Sequence, residues 1–178
     1  MDGSKPRRWR IAIAASVVTA LVTAGIAIAV VPGRTIAAGG PITAVKVARG
    51  ESATTTSSTT YVNVPGASRR ITVPSGQHAL ILARFSAESE CSAGLPGNTC
   101  SVRILIGGSE GKPASGLDFA FDSVGTGPTD DASESHSMDR SRVLGAGTWT
   151  VRVQYAVSTA GTTFRLDDWS LTVERSKR

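Results

Sequence analysis

From Tyr61 to Glu174 the chain alternates apolar and polar residues in short runs broken by Gly, Pro, Ser and Asp. Trp149, Val151, Val153, Tyr155 and Val157 fall on one side of an extended chain, with Thr150, Arg152, Gln154 and Ser158 on the other. A period of two is that of a strand buried on one face. Trp169, Leu171 and Val173 repeat the pattern against Ser170, Thr172 and Glu174, and Phe164 and Leu166 against Thr163, Arg165 and Asp167. Val102, Ile104 and Ile106 form a further inward row, and Phe119 with Phe121 a shorter one. His78 to Phe85 is apolar on both sides, which predicts a central strand covered on both faces. Tyr61–Val64 and Arg70–Val73 are two more strands, limited by Pro65 and Pro74.

After Pro32 no segment offers ten residues of helical period with a cap and a stop. Eight or nine short strands in residues 61–175 therefore predict an all-β domain. The expected architecture is an antiparallel β-sandwich of jelly-roll-like order. Phe85, Phe119, Phe121, Trp149, Tyr155, Phe164 and Trp169 should supply much of its core, leaving Tyr61 as the free aromatic.

A different pattern governs residues 1–38. Lys5, Arg7, Arg8 and Arg10 precede 21 residues, Ile11 to Val31, without Asp, Glu, Lys or Arg. That length suits one N-terminal apolar helix crossing a bilayer, with the cations kept on the cytoplasmic side. Everything beyond Pro32 then lies outside the cytoplasm, at the extracellular face of the membrane. Length favours a retained signal-anchor. The Ala, Val and Thr content and the small residues around Ala37-Ala38 suit a cleaved signal peptide, which would leave the rest secreted. Residues 39–60, with an almost unbroken Thr/Ser run from Ala53 to Thr60, read as a solvated tether.

This leader accounts for the basic balance. Of 19 Lys and Arg residues, five lie in residues 1–37, against one of the 14 acids. The exported remainder holds 14 cations and 13 anions, with no basic stripe, which argues against a nucleic-acid partner. No Asn-x-Ser/Thr sequon occurs in the chain.

Cys91 closes one strand and Cys100 opens another across a loop, so a hairpin should bring them together as a disulfide in an oxidising compartment. The two histidines are His78, at a strand entrance, and His136, within Asp130-Asp131-Ala132-Ser133-Glu134-Ser135-His136-Ser137-Met138-Asp139. His136 with Ser135 and Asp139 is the candidate hydrolytic set. However, no Gly-x-Ser-x-Gly elbow accompanies it, and on a strand Ser135 faces away from His136. A polar strand lined by serines is the simpler reading. Asp130-Asp131 with Glu134, and Asp167-Asp168, are oxygen-rich groups of the kind calcium takes, but they lack the spacing of a calcium loop. No metal site and no cofactor is expected.

The ordered segments Ile71–Gly76, Phe85–Cys91, Cys100–Leu105, Phe119–Ser123, Leu144–Gln154 and Leu166–Val173 resemble an uncharacterised class of secreted bacterial β-domains. Their strand-and-turn order is also similar to jelly-roll heads of the complement and tumour-necrosis-factor type. That resemblance implies a trimeric binding module, hence a homo-oligomer, and carries no functional residue across.

The functional expectation is an exported, non-enzymatic module with a binding or envelope-structural role. It would reach the membrane through its N-terminal helix and meet an extracellular protein or glycan. The alternative is a small secreted hydrolase built on His136.

Overall fold

The period-two segments become strands, but fewer and longer ones than their punctuation predicts. The computed structural model describes residues 39–114, 120–126 and 132–178. The apolar N-terminal segment, Phe119 and the pair Asp130-Asp131 lie outside the described residues. The strands are β1 (Ile42–Gly50), β2 (Thr54–Thr56), β3 (Val62–Ser92), β4 (Thr99–Ile106), β5 (Ser109–Glu110), β6 (Ala120–Ser123), β7 (Glu134–Val157) and β8 (Thr163–Lys177). The described residues contain no helix. Among them, no helix is long and apolar enough to cross a membrane.

All eight strands belong to one antiparallel sheet in the order β1-β8-β3-β7-β4-β5, with β2 added to β8 and β6 to β4. Two long strands organise it. Residues 62–73 of β3 pair with residues 147–155 of β7, and residues 78–89 pair with residues 134–145. The register shifts between Asn63 and Ser68 and between Val73 and His78. Pro65-Gly66 and Pro74 to Gly76, read as strand ends, sit at those shifts. Gly66 and Gly76 supply the positive φ that an irregular, bending strand needs.

The same physics merges the last two expected strands into β8. The inward row runs Phe164, Leu166, then Trp169, Leu171 and Val173, a jump of three where alternation demands two. Asp168 takes a φ of 43°, and the register slips opposite it between Ser86 and Glu88. Asp167 accepts from Arg165, and its Oδ1 accepts the Asp168 N–H at 3.0 Å. These acids therefore shape a bulge inside one strand.

Residues 39–60 also depart from expectation. The predicted tether supplies β1 and β2, both paired with β8. Threonine is β-branched and fits a pleated surface, so a Thr-rich run is as compatible with an edge strand as with a coil. Thr54 Oγ1 lies 3.0 Å from the Tyr155 hydroxyl, which donates to Thr55 O at 2.9 Å. Gly50 ends β1 beneath Trp169, where an added Cβ would lie 2.3 Å from the indole. Glycine is needed there for close approach.

One core gathers the inward rows of all the long strands, with Ile81, Ala83, Phe85, Ile104, Val151, Val153, Phe164 and Leu171 fully buried. Phe85 lies 5.9 Å from Phe121 and 6.3 Å from Trp169 between ring centroids, and Tyr155 lies 6.0 Å from Phe164. Removing such a ring from water is worth about 1.5–3 kcal/mol. Trp149 is only half-buried at the rim of this core, with its Nε1 donating to Gly145 O at 3.0 Å. β3 is central, as predicted, yet Leu80 and Leu82 on its second face are half-buried.

Candidate functional site

The chemistry-bearing residues converge where β3 ends, β6 crosses and β7 begins. Along β3 the inward positions are Phe85, Ala87, Ser89 and Cys91, so a serine interrupts an apolar row. Ser89 is 1% exposed, and a hydroxyl buried that deeply needs partners. It finds two. Its Oγ donates to Asp122 Oδ2 at 2.7 Å and lies 2.8 Å from His136 Nδ1. Asp122 arrives on β6, whose register sets it beside Cys100, and its Oδ1 accepts the Ser123 N–H at 2.7 Å. His136 enters on β7 opposite Ala87, edge-on to Phe121 at 5.6 Å. Its Nε2 lies 3.6 Å from Glu134 Oε2. An open cleft of about 470 Å³ lies over this group, lined in part by Phe121, Asp122, Glu134 and His136.

The order of the bonds decides what they do. A carboxylate only accepts, so the Ser89 proton goes to Asp122 and the Ser89 oxygen is left to accept. Nδ1 of His136 must then carry the hydrogen, an assignment made from the network. A hydrolytic triad places histidine between serine and carboxylate, so that the imidazole can take the serine proton. Here serine stands in the middle. The imidazole donates to it, and its buried oxygen is turned away from solvent. This arrangement ties β6 to β3 and β7 through a single serine oxygen.

The expected set does not assemble. Ser135 is exposed opposite Glu88 on the other face of β7. Asp139 is exposed too, and accepts from Arg84 Nε at 2.9 Å. Only His136 belongs to the cleft. Ser89 and Asp122 were missed because they lie 33 residues apart in different strands. The available signal was the polar residue on an otherwise apolar inward row.

No group of three His, Cys, Asp or Glu side chains among the described residues is placed to hold a metal. Asp167 is engaged by Arg165 and the bulge backbone.

Cys91 and Cys100 are bonded, with Cα atoms 5.8 Å apart and both residues buried. The link is not the hairpin staple expected. β3 and β4 are separated in the sheet by β7, so the disulfide joins strands that are not hydrogen-bonded neighbours. At a greater distance, Tyr61 is not free. Its ring lies 4.0 Å beneath the Arg103 guanidinium, and burial raises its phenol above the ordinary range against the opposing pull of Arg103. Burial lowers Arg140, while the charges of Glu110 and Asp139 oppose that shift.

With this geometry the chain is a small all-β domain carrying one disulfide. No family model and no curated protein matches it. A solved structure, dimeric latent PorU from Porphyromonas gingivalis, aligns over 79% of this chain at 14% identity, with a TM-score of 0.31. The chain spans 14% of the PorU length. At that overlap the likeness carries no inference, and it does not extend the resemblance to jelly-roll heads.

Proposed function

We propose that this chain is an exported, non-enzymatic β-sandwich module working at the extracellular face of the cell membrane, or released from it where the leader is cleaved. Its role is to bind a protein or glycan partner, or to serve the envelope structurally. The observation that carries this reading is the wiring of Ser89. Its hydroxyl donates to Asp122, and its oxygen accepts from His136 out of reach of solvent. A disulfide is at home in an oxidising compartment, which supports export. β3 keeps β7 throughout but gains β8 as a second partner only from Ala79 onward, and the long strands share one core, which supports folding of the single sheet into two layers.

The test is direct. Purified full chain is assayed against panels of esters, peptides and glycosides, beside His136→Ala. We expect no turnover above buffer in either protein. Turnover that disappears in His136→Ala would establish the hydrolase instead. Recovery of the chain from membranes or medium, with its N-terminal residue determined, tests export and fixes the fate of residues 11–31.

A further inference from the structure

The charges of the domain are sorted toward its two ends. Gly40 N donates to Lys177 O at 2.7 Å and Lys177 N to Pro41 O at 3.1 Å, so β8 ends beside the entry to β1. Arg178 N donates to His78 O at 3.3 Å, and His78 pairs with Gly145 where β3 and β7 shift register together. Residues 39–43, 72–79, 144–148 and 175–178 thus meet at one end. They contain Arg175, Lys177 and Arg178 and no carboxylate side chain. Lys177 and Arg178 are exposed, and Ile42, paired with Ser176, is 56% exposed.

The positive surface continues from that end. Arg175 donates from Nη1 to Thr72 O, and Arg69 from Nε to Val47 O at 2.7 Å. These bonds gather Arg69, the exposed Arg70 and the exposed Lys46 along β1 and the first half of β3. Among the described residues the ion pairs are Arg84–Asp139, His136–Glu134 and Arg165–Asp167, and none involves these cations. Glu174 neighbours Arg175 but alternates to the opposite face. The far ends of the long strands carry the reverse sign. Residues 88–92 of β3, 134–136 of β7 and 163–168 of β8 hold Glu88, Glu90, Glu134, Asp167 and Asp168 against Arg165 alone.

Such a separation orients a protein near a charged surface, because each end is drawn to the sign it lacks. The chain before β1 says which surface that is. The apolar run ends at Val31 and β1 begins at Ile42, a connection that spans at most about 35–40 Å fully extended. It enters the domain at the positive end, and Arg34 within it adds a further cation. Each Lys or Arg brought to an anionic bilayer strengthens binding roughly fivefold. A tether this short raises the local concentration of the surface, so weak docking suffices.

We propose that the end formed by the entry to β1, the bend of β3 and the last residues of β8 docks on an anionic phospholipid surface. Lys177 and Arg178 meet the lipid phosphates, and Ile42 enters the headgroup layer. Lys46, Arg69, Arg70 and Arg175 supply the attracting field while keeping their bonds within the fold. The acidic end, with the cleft over His136, is then directed away from the bilayer toward a partner. This inference rests on the reading of residues 11–31 as a retained membrane anchor, and it names the surface on which the module stands.

The test reconstitutes purified full chain in phosphatidylcholine vesicles with or without phosphatidylglycerol, with a rhodamine lipid as energy acceptor. A fluorescent donor is attached at Gln77→Cys, in the exposed bend of β3, or at Ala160→Cys, in the exposed loop after β7. With phosphatidylglycerol present, transfer from position 77 should exceed that from position 160 by about twofold or more. That excess should shrink in phosphatidylcholine alone and at about 1 M salt, where charges are screened within a few ångströms. Lys177→Gln combined with Arg178→Gln should lower the ratio of docked to undocked chain roughly 25-fold. Arg84→Gln, an exposed arginine outside this surface, should leave it unchanged. Near-UV circular dichroism identifies a variant that fails to fold, and the salt arm needs no substitution. Transfer indifferent to phosphatidylglycerol and salt overturns the proposal. So does its loss on adding polygalacturonate at equal charge, which would give the surface to an acidic glycan. Carbonate extraction reads the anchor separately. If the chain washes off, the anchor reading falls, and salt-sensitive flotation with phosphatidylglycerol vesicles then supports the docking or, by its absence, overturns it.

Discussion

The two flanks of this sheet are closed by different means. On one flank, the end of β3 is joined to β4 by Cys91–Cys100, packed by Phe85, Phe121 and Phe164, and tied to β6 and β7 through Ser89. Every polar group just named has a partner matched to it, and the carboxylate accepts a hydrogen bond from the serine hydroxyl. On the other flank, β1 and the first half of β3 are linked by two half-exposed arginines that hold neutral carbonyls. Stability is therefore concentrated on the first flank. Covalent and buried contacts hold the first flank, whereas the second is bridged by cations that meet only neutral acceptors.

Substitutions can break this contrast in graded steps. Phe85→Ala on the closed flank removes a fully buried ring and should cost about 3–5 kcal/mol, read from the denaturant midpoint. Replacing both Cys91 and Cys100 by alanine opens a ten-residue loop and should cost about 2.5–3 kcal/mol in the chain-entropy account. Ser89→Ala leaves Asp122 and His136 facing a methyl group, and about 1–3 kcal/mol should be lost. Were Ser89→Ala neutral, the clasp would be ornamental. On the open flank, Arg175→Gln should cost no more than about 1 kcal/mol of folding stability, because its bonds are half-exposed. A loss as large as that of the disulfide would erase the distinction between the flanks.

Much of the closed flank was legible beforehand because its signals are local. Inward rows such as Val151, Val153 and Tyr155 give the strands directly, and Cys91 and Cys100 flag their bond. The phase jump from Leu166 to Trp169 announces a bulge, although the acids beside it suggest a turn. Pro65-Gly66 and Pro74 to Gly76 carry the chemistry of strand ends, yet pairing with β7 on both sides of each shift keeps β3 one strand. Tertiary pairing overrides local punctuation there, as it does for Thr54–Thr56 in the expected tether.

The site was less legible because its parts are distant. His136 stood out by rarity, but its neighbours in sequence, Ser135 and Asp139, turn to the opposite face. Its true partners come from β3 and β6. The arginine bridge between β1 and β3 was hidden for the same reason. Arg69 reads as half of a basic pair, and only the fold brings it across to β1.

Amide hydrogen exchange on the purified full chain measures the contrast most directly, because protection reports the free energy of opening at each residue. The Val45 and Arg70 amides, on edges of β1 and β3 that do not pair with each other, should exchange orders of magnitude faster than those of Ala83 and Phe85, which open only with the whole domain. Equal protection at Val45 and Ala83 would contradict this contrast, since the edges of β1 and β3 would then be hydrogen-bonded to each other.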